Sequence, residues 1–390
     1  MNIGVFFGSR SPEHDVSIIT GELVISELKK LGHNITPVYI GKDGQWYVDE
    51  EIGSLKFFKN FANMDYKNFA KIYLDLEQSK GKMVLKKKGF NGKEFVIDLA
   101  FPAFHGAFGE DGTIQGLFEI FNLPYVGCDL TSSAITMDKI LTKLLYQKHN
   151  IPTVDFIYFD LGDWQANKAS ILERCKKELV WPMFVKPPRL GSSIGIVKVK
   201  SEDSLESAIE VALQYGNRVL VENGVNNLKD VTCAVLGNEN PKTSLVQESS
   251  FSDDLFSYED KYLTDGGTQL GNATTNLVIP ANIPDDVTKT IQDLSIKIYK
   301  LFACSGTARI DFLYDAASQQ IYANEINTMP GTLYHHLWKA SGIEMEELLK
   351  ELINLAIEKY KNEVKYIHTF QSNLLQQANS IKLQIKEDNN

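Results

Sequence analysis

The segment RIDFLYDAASQQIYANEIN holds the side chains best suited to chemistry. Side chains alternate along a strand, so residues i and i+2 share a face. Arg309 and Asp311 therefore point one way on a first strand, and Glu325 and Asn327 share a face on a second. A hairpin between them brings all four to one patch. Two carboxylates and an amide oxygen are hard donors that suit Mg²⁺ with phosphate oxygens completing its shell. A solvated strand face with a salt bridge is the competing reading.

A second set lies in VKPPRLGSSIGIVKV, where Lys186 ends an apolar strand and Gly191, Ser192 and Ser193 form a small-residue loop. Backbone N–H groups and hydroxyls in such a loop can close over a polyphosphate beside a lysine. The order of a P-loop is absent, and an ordinary hairpin is the plain alternative. Glu222 ends the strand RVLVEN, and Asp230 follows in LKDVT. Carboxylates there can accept ribose hydroxyls next to backbone that reads an adenine edge, or they are surface charges. Lys139, in MDKILTK, is a phosphate contact or a solvated helix lysine.

HGAFGEDG sets His105 among Gly106, Gly109 and Gly112, so backbone can approach a ligand closely, while Glu110 and Asp111 can complement the next helix N-terminus. SYEDKY places Tyr258, Lys261 and Tyr262 in a polar, Gly-containing region that fits a lid or a plain surface loop.

These residues need elements to hold them. NIGVFF reads as a buried strand, VSIITGELVISELKKLG as a helix ending at Gly, and ITPVYIG as a strand. The β-loop-α-β order predicts a parallel sheet with ligands at its carboxyl ends, where Glu13, His14 and Ser17 fall. Residues 51–93 read as a Lys-rich excursion. FVIDLAFPAFHG resumes a strand, followed by a helix with Ile114, Leu117, Phe118 and Phe121 on one face. SSAITMDKILTKLLYQKHN reads as one long helix with a Ser cap. Beyond it, strands and helices mix as α+β. The expected units are an α/β unit at 1–130, a central unit at 131–220, a unit carrying the acidic strand pair at 221–360, and an extension at 361–390.

The 390 residues carry 40 Lys+Arg against 50 Asp+Glu, a formal net charge of -10. That balance argues against a broad nucleic-acid footprint and leaves room for small anions held locally. Cys128, Cys175, Cys233 and Cys304 are widely spaced, without the pairing of a zinc or redox motif, and read as buried reduced thiols. No apolar run approaches the roughly 18 residues of a membrane helix and no secretory signal is evident, so a cytoplasmic location is expected.

In order, the motifs GSRSPEHDVS, HGAFGEDGTIQG, PYVG, MDKILTK, VKPPRLGSSIGI, VLVE, YEDKY, GTARIDF and NEINTMPG resemble those of the D-alanine:D-alanine ligases of the ATP-grasp superfamily, from residue 2 to about 355. The resemblance implies an ATP-grasp fold behind an N-terminal parallel-sheet domain, and a cytoplasmic homodimer. It implies that ATP phosphorylates one D-alanine and that the amine of a second attacks the acyl phosphate. Glu13 would anchor the first ammonium, in a triad with Ser192 and Tyr262, and Ser17 and His105 would line that pocket. Lys139, Lys186, Lys261 and Ser193 would meet the phosphates, and Glu222 and Asp230 the adenosine. Asp311, Glu325 and Asn327 would carry two Mg²⁺, with Mn²⁺ also suited. Arg309 and the Gly331 N–H would stabilise the oxyanion.

Three departures stand out. Asp230 replaces a glutamate. PGTLYHHLW is shorter than in other members and lacks the serine that holds the second carboxylate, so one of His335 and His336 is expected to face substrate. Residues 361–390 extend past the usual end. Tyr262 matches the dipeptide-forming members and favours an amine nucleophile. A ligase using a different second amino or hydroxy acid, and a nucleotide-binding regulator without turnover, are the alternatives.

Overall fold

The computed structural model describes residues 1–59, 72–88, 92–249 and 277–374. Strands β1 (Asn2–Gly8), β2 (Asn34–Ile40), β3 (Trp46–Val48) and β7 (Leu99–Pro102) form the first sheet, ordered β3-β2-β1-β7. β1 runs parallel to β2 and β7, as the β-loop-α-β pattern requires. Helix α1 (His14–Lys30) packs Val24, Ile25 and Leu28 beneath β1. The excursion contains α2 (Leu55–Lys59) and an antiparallel sheet of β4 (Ile72–Leu74), β5 (Met83–Lys87) and β6 (Glu94–Ile97). Helix α3 (Thr113–Ile120) buries Ile114 and Phe118, while Leu117 and Phe121 pack against the same cluster.

The long helix expected next is two. α4 (Leu130–Met137) is capped by Asp129, whose side chain accepts from Ser132 N, and α5 (Lys139–Lys148) starts afresh at Asp138. Asp138 adopts an extended conformation, and its carboxylate accepts from the N–H groups of Ile140 and Leu141, which replaces the continuing helix with a second N-cap. Arg189 and Arg218 also donate to this fully buried carboxylate, so the break ties α5 to the second sheet. The apolar spacing ran on through Asp138 because both helices cover the same core.

The second sheet is antiparallel, ordered β10-β9-β11-β8: β8 (Phe156–Asp160), β9 (Met183–Lys186), β10 (Val197–Val199) and β11 (Arg218–Asn223). Helices α6 (Leu161–Glu178) and α7 (Leu205–Leu213) cover it with a core that, among the described residues, is drawn from 157–221. The third sheet joins β12 (Leu228–Leu236), β13 (Lys242–Ser249), β14 (Leu277–Val278), β15 (Thr307–Asp315) and β16 (Gln320–Asn327), with helix α8 (Asp285–Leu301) on one face. Helices α9 (His335–Ala340) and α10 (Met345–Glu363) return to the first sheet, where Trp338, Leu348, Leu349 and Leu352 join Ile3 and Phe7 in one core.

Position 220 falls inside β11, whose pairing to β8 and β9 carries the second sheet to Asn223. Tyr146 and Ile151 pack into the core of the third sheet.

Candidate active site

Ala308, Ile310 and Phe312 of β15 face the core under α8, which turns Arg309 and Asp311 to the opposite side, into a cleft between the second and third sheets. Arg309 sits opposite Asn327, and Asp311 opposite Glu325. Arg309 donates to Asp311 through Nε (2.8 Å) and Nη2 (2.6 Å). Asn327 Nδ2 and Thr232 Oγ1 complete the carboxylate's partners at 3.2 and 2.9 Å. Glu325 pairs with Lys139 Nζ at 3.0 Å. The four residues converge as their alternation predicts. Burial works against the charge of Lys139, but Glu325 outweighs it and its pKa rises.

Lys139 is held from several directions. It begins α5 just after the Asp138 cap, its N–H donates to Pro188 O (2.9 Å), and its Nζ to Leu190 O (2.8 Å). The loop from Lys186 to Ser193 thereby lies across the start of that helix. Ser192 and Ser193 both adopt left-handed conformations, with φ of 53° and 59°. The Ser192 hydroxyl donates to Glu13, which precedes α1. Gly191 lets the loop approach this carboxylate, since a Cβ there would lie 2.8 Å from Glu13 Oε2 and displace it.

Glu222 is the buried counter-charge of the cleft. Lys186 Nζ lies 2.5 Å from one carboxylate oxygen and Lys143 Nζ 3.0 Å from the other. Burial alone would raise its pKa, but the two lysines prevail and hold it down at about 2. Lys143 is itself fully buried, and desolvation lowers its pKa despite Glu222. Phe184, Ile196, Val225, Leu228 and Leu313 wall this lobe, with Asp230 at its edge. An apolar slot ending in carboxylates and lysines suits a planar base attached to a polyanion.

The second lobe is lined by Glu13, His105, Glu110, Asn327 and Gly331, and shares Lys139, Ser192, Arg309 and Glu325 with the first. His105 Nε2 lies 2.8 Å from Thr20 Oγ1. Burial, then Arg309, lowers its pKa to about 3, so the ring is neutral. Glu110 accepts from Gly106 N at 2.7 Å, and burial beside Glu13 raises it to about 8.

Three of the expected residues lie away from both lobes. Ser17 is fully buried; its Oγ accepts from Gly8 N and donates to Ala103 O, both at 2.7 Å. Its hydroxyl is used joining β1 to the end of β7 and lines neither lobe. His335 and His336 start α9: His335 Nδ1 lies 3.1 Å from Thr332 O, and His336 Nε2 lies 2.7 Å from Gln247 Oε1. Among the described residues neither lines the cleft, and burial lowers His336 to about 4. Tyr334 reaches it instead, because Thr332, Leu333 and Tyr334 all turn left-handed, at φ of 47°, 57° and 52°, and swing its ring 5.0 Å beneath the Arg309 guanidinium. Tyr258, Lys261 and Tyr262 lie outside the described residues.

Lys143, Thr232 and Tyr334 were not foreseen. Lys143 stands in MDKILTK one helical turn from Lys139, a spacing that could have flagged it. Thr232 and Tyr334 carry no local signal.

The arrangement, a buried arginine and paired acids facing lysines across a loop of small residues, is that of a nucleotide-dependent ligase. Residues 2–128 match the model of the D-ala D-ala ligase N-terminus, and residues 145–354 that of the D-ala D-ala ligase C-terminus. The chain is 39% identical over 375 residues to the D-alanine–D-alanine ligase of Thermosipho melanesiensis, covering 96% of this chain and 98% of that one. The Enterococcus faecalis D-alanine–D-alanine ligase is 34% identical over 93% of this chain and all of its own. Among solved structures, the D-alanine-D-alanine ligase from Coxiella burnetii superposes with a TM-score of 0.76 at 30% identity, covering 97% of each chain. The VanG D-Ala:D-Ser ligase from Enterococcus faecalis gives 0.75 at 32%, covering 91% of this chain and 99% of the other. The chain belongs to the D-alanine–D-alanine ligase family.

Proposed function

We propose that the protein joins two D-alanines at the cost of ATP, giving the dipeptide used in peptidoglycan. The observation that carries this is the single cleft in which Glu13 and Arg309 share one lobe and Lys139, Lys186 and Glu222 the other. Its position lets an amino acid and a polyphosphate meet at Arg309.

In this reading Glu13, held by Ser192, takes the ammonium of the first D-alanine. Lys139 and Lys186, with the Ser193 loop, hold the phosphates, and Glu222 and Asp230 the adenosine. The carboxylate attacks the terminal phosphorus as its bond to the bridging oxygen breaks and ADP leaves, and Lys139 and Lys186 stabilise the charge that builds on the transferring oxygens. The second amine, as the free base, then attacks the acyl carbon; the C–O bond to phosphate breaks, phosphate leaves, and the nitrogen gives up a proton to phosphate or solvent. Arg309 and the Gly331 N–H face the oxyanion of that tetrahedral intermediate. Neutral His105 and protonated Glu110 keep the pocket from acquiring charges that would compete with substrate.

Asp311, Glu325 and Asn327 fit Mg²⁺, because all three offer oxygen and the remaining places suit phosphate oxygens. When bound, the metal would neutralise phosphate charge. A homodimer in the cytoplasm is part of the same reading, and sedimentation would check the dimer.

Mass identification of the product from ATP, Mg²⁺ and D-alanine tests the reading. D-alanyl-D-alanine supports it; phosphate release responding best to another acid refutes it. The short Gly331–Tyr334 turn and the family's D-Ala:D-Ser member favour a different second amino acid as the second reading, and D-serine belongs in the same panel.

A further inference from the structure

Outside the cleft, two thiols distant in sequence meet. Cys128 follows Gly127 at the end of the first unit, and Cys304 lies in the turn between α8 and β15. Cys128 Sγ reaches the residue next to Cys304, lying 3.4 Å from Ser305 O, and each thiol influences the other's ionisation. The backbones flanking them approach closely: a Cβ on Gly306 would lie 3.0 Å from Gly127 Cα. Four hydrogen bonds pin the crossing. Cys128 Sγ donates to Ser305 O (3.4 Å), Ser305 Oγ to Gly127 O (2.8 Å), Lys359 Nζ to Gly127 O (3.0 Å), and Ser132 Oγ to Ala303 O (3.1 Å).

The pair is electrostatically unequal. The Cys304 hydrogen bond lowers the Cys128 pKa against the effect of burial, and the Lys359 ammonium adds to it, while the Cys304 thiol is held well above its usual value by Cys128 and burial. A cavity of about 510 Å³, lined by Cys304, Ser305, Lys359, Tyr299, Asp129 and Glu363, opens on the Cys304 side of the pair.

We propose that Cys128 and Cys304 are an oxidation site, converted by hydrogen peroxide into an intramolecular disulfide. The Cys128 thiolate attacks one peroxide oxygen and the O–O bond breaks; the departing hydroxide takes up the proton that Cys128 had lost and leaves as water. Cys128 is then a sulfenic acid. The Cys304 sulfur attacks it, the S–S bond forms as the S–O bond breaks, and the Cys304 proton leaves with that hydroxide as a second water. Two thiols lose two electrons and one peroxide becomes two waters.

Cys175 and Cys233 are internal controls. Each is buried with its thiol raised to about 11, chiefly by desolvation, and neither touches another cysteine. The test treats the full chain with peroxide, alkylates it under denaturing conditions and maps the peptides. The proposal expects free thiols to fall from four to two, the mass to drop by two hydrogens, one cross-linked peptide joining Cys128 to Cys304, and reversal by dithiothreitol. With Cys304→Ser, the disulfide should vanish and Cys128 should become reactive to dimedone. Oxygen adducts with no cross-link in the unsubstituted chain, a cross-link through Cys175 or Cys233, or four thiols surviving peroxide would each overturn it.

Discussion

Arg309 and Asp311, two residues apart on β15, form a bidentate pair inside the protein, with Arg309 only 4% exposed. Each covers the other's desolvation, so neither can be removed alone without leaving a buried charge. Asp311→Asn should cost about 3–5 kcal/mol by denaturant unfolding. Arg309→Lys keeps the charge and loses the fork, and should lower kcat by roughly 100-fold or more while the KM for ATP moves little. Equal losses in kcat and ATP affinity would remove Arg309 from the oxyanion role.

Lys143 is expected to matter through Glu222. Lys143→Met leaves that carboxylate with Lys186 alone, and should destabilise the protein by about 3 kcal/mol or more. The KM for ATP should rise more than kcat falls, as steady-state kinetics would show. An unchanged KM would make the lysine a purely structural pair.

Ser17→Ala tests the hydroxyl's reassignment. Losing a donor and an acceptor within the protein should cost about 1–3 kcal/mol in thermal unfolding, with the KM for D-alanine unchanged once the protein is folded. A raised KM at full stability would return Ser17 to the pocket.

His105 links stability to pH. Its folded pKa is depressed from 6.5 to about 3, so between those values the unfolded chain binds a proton that the folded chain does not. Stability is therefore full above 6.5 and falls with decreasing pH, by up to about 1.4 kcal/mol per unit through this group, until about 3. His336, depressed to about 4, adds in the same direction. His105→Gln should flatten the dependence of Tm on pH between 6.5 and 4.5, and an unchanged slope would contradict the buried neutral ring.

The cleft was legible wherever chemistry and a two-residue strand period coincided. Arg309, Asp311, Glu325 and Asn327 alternate with core residues, so sequence placed them on a shared face and the hairpin register brought them together. Thr232 was hidden because its contact with Asp311 comes from the neighbouring strand, seventy-nine residues away. Tyr334 was hidden because three successive left-handed residues reverse the direction that a helical reading assigns it. The break at Asp138 was masked by apolar spacing that continues on either side. Ser17 gives no local signal of its partners: its hydroxyl lies between the backbone of β1 and that at the end of β7, two segments far apart in the chain.

The two ends of the described fold share one core, in which Ile3 and Phe7 lie with Leu348, Leu352 and Ala356. On the ribosome, the first strands emerge long before those partners exist. The first sheet must wait, partly uncovered, until Trp338 and the residues to Ala356 have been synthesised, whereas the cluster within residues 157–221 finds its partners close in sequence among the described residues. Vectorial synthesis should therefore complete the middle of this protein before its beginning.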